Sequence, residues 1–332
     1  MRVITTLRRR IRAFVPRGYT PWKVYGVLVL AILSLSYYFI FSPPLDFPLR
    51  QTVRIEEGMS LKQIALRLKE TGVIRSQIAF ASMVELSGKQ ENLVAGQYKF
   101  DKPYSLFTVV GRLVSGTFGF HMVKVVIPEG ATNVQVASLF DAKLSSFNRE
   151  KFLMMVKEKE GYLFPDTYYV TPVATEEDAL AQLNKNFKQQ AGPYEVESFV
   201  TGHSFHDIIT MASLIEEEAK SEQDRAMVSS ILWNRIEKGM PLQVDAVFPY
   251  IIGRNTYQVT KADLANKSPY NTYVHEGLPP GPISNPGLSS IRAAIHPTQS
   301  DYLFYLHDRR GTMHYARTFA EHVVNRRKYL DT

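Results

Sequence analysis

The sequence predicts an α+β protein that has one membrane-spanning helix near its amino terminus and two lobes beyond it. Three observations predict this class. An uncharged run follows a basic tail, a strand–turn–helix pattern occurs twice, and the last third mixes helical stretches with proline-rich loops and short strands. With 332 residues, of which 45% are hydrophobic, the chain is long enough for about two domains with buried cores.

The amino-terminal residues predict a membrane anchor. Residues 1–23 contain seven basic residues and no acidic one, which predicts a cytoplasmic basic tail, and residues 24–42 form an apolar run. About 20 apolar residues cross the hydrocarbon layer, and Pro43 and Pro44 would end the helix. Bulky aromatic residues at the end of the run favour an uncleaved span over a cleaved signal peptide. The positive-inside rule then places the chain beyond about residue 46 on the extracytoplasmic side of the membrane.

Charge and cysteine content exclude several classes of function. The tail carries the whole net charge of +7, and the remainder has as many acidic as basic residues, 32 of each. A nucleic-acid-binding protein needs a basic face for phosphates, so we expect no nucleic-acid partner. The sequence contains no cysteine, which excludes disulfides, thiol nucleophiles and cysteine-ligated zinc.

An internal repeat organises the first lobe, residues 46–198. The stretch "VRIEEGMSLKQIALRLKETGVI" predicts a strand, a turn and a helix capped by Ser60. The pattern returns 72 residues later, and the matched pairs are Ile55 and Ile127, Glu57 and Glu129, Gly58 and Gly130, Ser60 and Thr132, Gln63 and Gln135, and Ala65 and Ala137. Two copies predict two small α/β units instead of a solenoid. Whether these units bind a ligand is left open.

The rest of the chain predicts short strands, then helices, then loops. "VAGQYKF" and "GYLFPDTYYV" are typical of short strands or turns that carry exposed aromatic residues, and a helix is predicted at 176–190. We interpret residues 189–204 as a polar connector between the lobes. In the second lobe, residues 199–332, we expect helices that begin at the caps Ser204 and Ser221, a last helix at 288–295, and strands at "YLFYL" and "MHYA".

Three adjacent glutamates end the first of these helices, in "MASLIEEEAK" at residues 211–220. On a helical wheel Glu217 lies opposite the apolar arc, Glu216 lies on its far flank, and Glu218 falls inside it. A carboxyl group that is withdrawn from water without a cationic partner has a raised pKa, which suits a general acid near neutral pH. The pattern makes Glu218 the candidate acid and predicts a solvated Glu217. The alternative is a solvated helix end that carries all three.

Polar and aromatic residues are dense after this helix. Amides, carboxylates and phenols together suit a hydroxyl-rich ligand such as a sugar. The set comprises Asn234, Arg235, Gln243, Asp245, Tyr270, Asn271, Thr272 and Tyr273. The rigid loop "GLPPGPISNPG" at 277–287 either holds backbone amides along a cleft or serves only as a connector.

These segments resemble the MltG-type (YceG-like) endolytic murein transglycosylases. The resemblance rests on "MASLIEEEAK", "SSILWNRIEKGMPLQVD", "SPYNTY", "GLPPGPISNPG" and "AAIHP". The repeat and "GYLFPDTYYV" resemble the LysM-like amino-terminal region of that family. The resemblance implies a LysM-like lobe at 46–198 and a catalytic lobe at 199–332. It also implies that Glu218 is catalytic and that the substrate-binding or supporting residues are Gln243, Asp245, Tyr270, Asn271 and Tyr273.

The activity implied by the resemblance is lytic cleavage within peptidoglycan glycan strands, between N-acetylmuramic acid and N-acetylglucosamine, without a metal or an organic cofactor. The resemblance also implies a cell (inner) membrane protein whose catalytic part lies on the periplasmic, extracytoplasmic side. We expect the glycan strands and the membrane as partners, and peptidoglycan synthases are a partner class that fits this location. Two other functions stay open: a lysozyme-like hydrolase with Asp245 as the second carboxylate, and a non-catalytic cell-wall-binding scaffold protein.

Overall fold

The computed structural model describes residues 21–253 and 258–331 and has a mixed α+β fold, as predicted. Most of the basic tail predicted for residues 1–23 lies outside the described residues. The chain forms two compact units, Met1–His121 and Met122–Thr332, so the predicted boundary between lobes 46–198 and 199–332 falls inside the second unit. One reason is Asn285: its side-chain amide donates to the carbonyl of Ala131 at 2.8 Å and accepts from the amide of Leu163 at 2.7 Å.

In the first unit, a long helix precedes a small α/β module. This helix is α1 (Pro21–Phe41). Its 20 residues Trp22–Phe41 form a helical segment that is long and apolar enough to cross a membrane. The module consists of β1 (Thr52–Ile55), α2 (Leu61–Glu70), α3 (Gln77–Leu86), β2 (Gly96–Lys99) and α4 (Leu106–Ser115). Strands β1 and β2 pair antiparallel with Val53 opposite Tyr98.

The second unit begins with a module of the same order. It consists of β3 (Val123–Val126), α5 (Asn133–Asp141), α6 (Arg149–Met155) and β4 (Thr167–Val170). Strands β3 and β4 also pair antiparallel, with Val125 opposite Tyr168. Both modules therefore place two helices between the strands of one antiparallel pair.

The repeat in the sequence is confirmed by matching local structure. Ser60 caps α2 and Thr132 caps α5, each in a reciprocal capping box with the glutamine three residues later. The turn before each cap needs a left-handed residue, which is Gly58 at φ 82° and Gly130 at φ 79°. Both helices therefore begin with the same local pattern of a turn glycine, a capping residue and a glutamine three residues after the cap.

The remainder of the second unit is mainly helical. Its elements are α7 (Glu176–Gln190), α8 (Gly192–Thr201), α9 (Phe205–Glu218), α10 (Glu222–Glu237), α11 (Val247–Ile252), α12 (Leu288–Ile295), β5 (Phe304–His307), β6 (Met313–Ala316) and α13 (Phe319–Tyr329). Every residue from Ile208 to Ile215 is buried, so α9 is a central helix enclosed on all sides and not only along an apolar arc. Helices α10 and α12 pack against it.

The structure corrects three predictions. The segment interpreted as a polar connector contains α8, which begins with Pro193 in its first turn and ends at the left-handed Gly202. The aromatic residues of the short strands mostly fill cores: Tyr98 and Phe100 are fully buried, because alternate strand positions face the helices. Helix 288–295 is also not the last, since α13 follows the β5–β6 hairpin.

Candidate active site

Glu218 is the last residue of α9, and the backbone becomes extended at Ala219. Carboxylates at the carboxyl end of a helix oppose the helix macrodipole, so helix stability does not explain three of them in succession. Each glutamate instead has its own surroundings in the tertiary structure.

Glu216 is a buried structural anion. Its carboxylate accepts hydrogen bonds from the Arg225 guanidinium at 2.6 Å and from the backbone amide of Gly287, the N-cap of α12, at 2.8 Å. Nε of Arg225 also donates to the carbonyl of Ala219 at 3.2 Å. Arg225 and Glu216 therefore fix the chain on both sides of Glu218.

Glu217 is the exposed member of the three, as predicted from the helical wheel. Its carboxylate lies beside the Gly130 turn of the second module, where a Cβ on the glycine would stand 2.6 Å from the Glu217 oxygen. Partial desolvation and the nearby charge of Glu216 raise the pKa of Glu217.

Of the three glutamates, Glu218 has the surroundings of a general acid. Burial raises its pKa from 4.5 to about 7, and the negative charge of Asp245 adds to this rise. The hydroxyl of Tyr305 donates to Oε2 at 3.0 Å, and the backbone amide of Ala246 also favours the charged form. Among residues 21–253 and 258–331, no cation forms an ion pair with this carboxylate. The carboxyl is thus poised to hold a proton near neutral pH and to be stabilised after losing it.

The β5–β6 hairpin supplies two tyrosines that sequence reasoning missed. Tyr305 and Tyr315 are directly opposite each other in the antiparallel pair. Tyr305 donates to Glu218, and Tyr315 donates to Asp224, in the first turn of α10, at 2.6 Å. The only signal in the sequence was the aromatic content of "YLFYL" and "MHYA", which is also typical of an ordinary strand.

The segment that follows α10 carries two of the predicted residues. Gln243 and Asp245 are exposed. They alternate along the chain with Leu242 and Val244, which are buried. Gln243 has a left-handed backbone, φ 50°, which is uncommon for a residue with a side chain and is typical of constrained functional loops. Asp245 accepts a hydrogen bond from the hydroxyl of Tyr273, so the structure joins Tyr273, Asp245 and Glu218 in one cluster.

Several other predicted residues hold the loops together. Asn271 is fully buried, and its side-chain amide donates to the carbonyls of Leu264 and Asn266 and accepts from the amide of Tyr273. Tyr270 packs its ring on Tyr250, with centroids 5.0 Å apart. No hydrogen bond joins Tyr270 to Glu218 in the part of the chain that the structure describes. Direct substrate contact by Asn271 and Tyr270 stays a prediction.

Arg235 connects the two sides of the cluster. Its guanidinium donates to the carbonyl of Leu303, just before β5, and to the carbonyl of Leu242, both at 2.7 Å. One buried side chain thereby sets the spacing between the strand that carries Tyr305 and the segment that carries Asp245. Arg235 was predicted as part of a ligand-binding lining, but its donors are used by the backbone.

The profile of the YceG-like family matches residues 53–328. The chain belongs to the YceG-like family. This confirms the resemblance seen in the sequence motifs, and the matched region contains every residue of the cluster around Glu218.

Known relatives of this YceG-like chain cover most of its length. It is 34% identical over 307 residues, 84% of this chain and 85% of the relative, to the endolytic murein transglycosylase of Bacillus subtilis (strain 168). It is 26% identical over 356 residues, 92% of this chain and 64% of the relative, to the endolytic murein transglycosylase of Streptococcus pneumoniae serotype 2 (strain D39). The crystal structure of a putative yceG-like protein from Listeria monocytogenes matches with a TM-score of 0.56 at 32% identity, covering 83% of this chain and 99% of that one.

Proposed function

We propose that this chain is a membrane-anchored endolytic transglycosylase of peptidoglycan. It cleaves bonds between N-acetylmuramic acid and N-acetylglucosamine within glycan strands and leaves 1,6-anhydro ends. The observation that carries the proposal is the Glu218 carboxyl, whose pKa of about 7 and contact with Tyr305 suit a group that both gives and accepts a proton. The names of the Bacillus and Streptococcus relatives support the same reaction class.

In the proposed mechanism, protonated Glu218 donates its proton to the glycosidic oxygen as the bond to the muramic acid breaks. The sugar develops oxocarbenium character, and the leaving strand departs with a new hydroxyl group. The Glu218 carboxylate then takes the proton of the C6 hydroxyl of the same muramic acid, whose oxygen closes the 1,6-anhydro ring. Because the nucleophile belongs to the substrate, proximity replaces a second carboxylate, and no water is consumed.

The neighbours of Glu218 support both halves of this cycle. Desolvation and the charge of Asp245 favour the protonated form before cleavage. The Tyr305 hydroxyl and the Ala246 amide stabilise the carboxylate formed afterwards. Gln243 is exposed two residues before Asp245 and is proposed to bind the substrate, for which its strained backbone is the supporting observation.

A hydrolase is the second candidate, because Asp245 lies near enough to influence the pKa of Glu218. A lysozyme-like enzyme would use such a second carboxylate to direct water or to form a covalent intermediate. The hydrogen bond from Tyr273 to Asp245 instead favours a supporting role. The two reactions differ in their products, since anhydro ends are lighter than hydrolysed ends by one water.

The test is digestion of purified peptidoglycan by the full chain in detergent, with the fragments identified by mass spectrometry. The proposal expects anhydro-muramic ends at internal cut positions, and it expects Glu218→Gln to remove them. Glu217→Gln is the matched control, because it removes the adjacent, exposed carboxylate. Hydrolysed ends would establish the muramidase alternative, and a parent chain without any cleavage would favour the non-catalytic scaffold.

The location of the enzyme and its amino-terminal modules belong to the same proposal. The apolar helix Trp22–Phe41 supports a single span of the inner membrane, with the site on the periplasmic side. The shared order of strand, two helices and strand supports LysM-like modules in the first and second units. A transglycosylase held at the membrane would cleave nascent glycan strands beside the peptidoglycan synthases and so limit the length of the strands.

A further inference from the structure

The first module is in contact with the end of helix α1. The ring of Phe107, in the first turn of α4, stacks on Phe41 with centroids 5.0 Å apart and planes 18° apart. It also stacks on Tyr37, one helical turn earlier, at 6.4 Å. Half of the Phe107 side chain stays exposed. A residue far from the helix in sequence thus extends the apolar surface of the helix end.

Arg75 forms a second contact with the same end. Its Nε and Nη2 donate to the carbonyl of Pro43 at 3.0 and 2.8 Å, and its guanidinium lies 5.8 Å from the rings of both Tyr38 and Phe39. A guanidinium has five N–H donors. Among residues 21–253 and 258–331, the remaining donors of Arg75 have no protein acceptor.

The segment between helix and module is not a free linker. Phe47 is buried and packs edge-on against Phe100 of the module core at 5.7 Å. The backbone amide of Arg50 donates to the carbonyl of Phe100 at 2.8 Å. Helix end, exit segment and module therefore have a fixed geometry in which Phe107 and Arg75 stay beside the helix end.

The length of the helix sets the depth of these contacts in a bilayer. At about 1.5 Å per residue, the 20 residues Trp22–Phe41 span about 30 Å, the thickness of the hydrocarbon layer. Phe41 would then lie at the boundary of that layer and Tyr37 within it. Because Phe107 stacks on both, it lies at the same depth, where aromatic side chains are favoured.

We propose that Leu45, Arg75 and Phe107 form a lipid-binding patch that seats the first module on the membrane surface. This proposal rests on the membrane span proposed above. Phe107 and Leu45, which lies four residues beyond the end of the helix and is 92% exposed, insert among the acyl chains near the headgroups. The free donors of Arg75 bind lipid phosphate. Residues 42–121 carry ten basic and seven acidic residues, and this excess of positive charge favours a surface with anionic lipids.

The chain offers a direct test, because it has only two tryptophans, Trp22 and Trp233. In a Trp22→Phe background, Trp233 remains as a buried reporter in the second unit. Phe107→Trp then adds one fluorophore and keeps an aromatic ring in the stack. The full chain is placed in vesicles of phosphatidylethanolamine and phosphatidylglycerol that contain lipids brominated near the headgroup or deep in the acyl chain. Ile32→Trp, in the middle of the helix, is the control for the span.

We expect the Phe107→Trp chain to be quenched most by the shallow bromines and the Ile32→Trp chain most by the deep ones. Adding Arg75→Ala should lower the shallow quenching, and Arg75→Lys should lower it less. If the Ile32→Trp chain is quenched and the Phe107→Trp chain is not quenched beyond its Trp22→Phe parent, the patch is refuted while the span stands. If neither is quenched, the span proposal fails and the patch fails with it.

Discussion

Replacing Glu218 by glutamine tests whether the fold keeps this carboxyl protonated. Glutamine is nearly isosteric with a protonated glutamate and retains an oxygen that can accept the hydrogen bond from Tyr305. Unlike glutamate, it cannot ionise. The variant therefore removes the free-energy cost of charging a desolvated carboxyl and changes little else in the packing.

The size of the effect follows from the raised pKa. Burial raises the pKa of Glu218 from 4.5 to about 7. Between these values the folded chain binds more protons than the unfolded chain, so the free energy of unfolding falls as the pH rises. At about 1.4 kcal/mol per pKa unit, charging Glu218 lowers the free energy of unfolding by about 3 kcal/mol above neutral pH. About 1 kcal/mol of this loss is already present near pH 5. From about pH 5 to about pH 8, Glu218→Gln should gain about 2 to 3 kcal/mol relative to the parent.

The assay is urea unfolding of the full chain in detergent at both pH values. Trp22→Phe in every chain leaves Trp233 as the reporter of the unit that contains Glu218. Glu237→Gln is the matched control, since Glu237 is an exposed glutamate on α10, and it should show no such gain. If Glu218→Gln differs from its parent by the same free energy at both pH values, the carboxyl is not held in its neutral form and the assignment of a general acid fails.

Three further predictions concern the neighbours of Glu218. The Tyr305 hydroxyl favours the charged form of Glu218, so Tyr305→Phe should raise its pKa and move the alkaline limb of the pH–rate profile up by about one unit. If the alkaline limb does not move, the hydrogen bond from Tyr305 does not influence the pKa of Glu218. Asp245 raises the same pKa, so Asp245→Asn should move the limb down and keep the anhydro products; disappearance of all cleavage would instead make Asp245 essential to the chemistry. Arg225→Ala leaves the Glu216 carboxylate buried without its cation and should lower the free energy of unfolding by about 3 kcal/mol or more, with a smaller loss for Arg225→Lys. Urea unfolding in the Trp22→Phe background measures this loss of free energy of unfolding. If Arg225→Ala were as stable as its parent, water would have to replace the guanidinium beside Glu216.

The parts of the fold that local chemistry specifies were predictable. The capping boxes at Ser60 and Thr132 and the left-handed turn glycines act within a few residues of the chain, so the repeat could be found in the sequence. Helix α8 was missed because it exposes apolar residues: Phe199 and Val200 are 77% and 88% exposed. A helix without a buried apolar face lacks the periodicity that sequence reasoning detects.

The candidate site was predictable only in part. The register of α9 separated Glu218 from Glu217, because helical periodicity is a local property. The hydrogen-bond partners of the residues predicted to line the site follow no regular spacing along the chain. Arg235 and Asn271 look like ligand-binding residues in the sequence, yet both donate to backbone carbonyls that the fold brings to them.

By itself, the sequence determined the apolar amino-terminal helix, the paired modules, the family and the choice of Glu218 as the candidate acid among three adjacent glutamates. Each of these depends on residue spacing or on motifs that can be read along the chain. Only the tertiary structure decided which groups meet that glutamate. Tyr305 is 87 residues away from it along the chain and reaches it because the β5–β6 hairpin folds back against α10. Burial and hydrogen bonding across such separations set the proton affinity of Glu218, and no pattern of neighbouring residues encodes them.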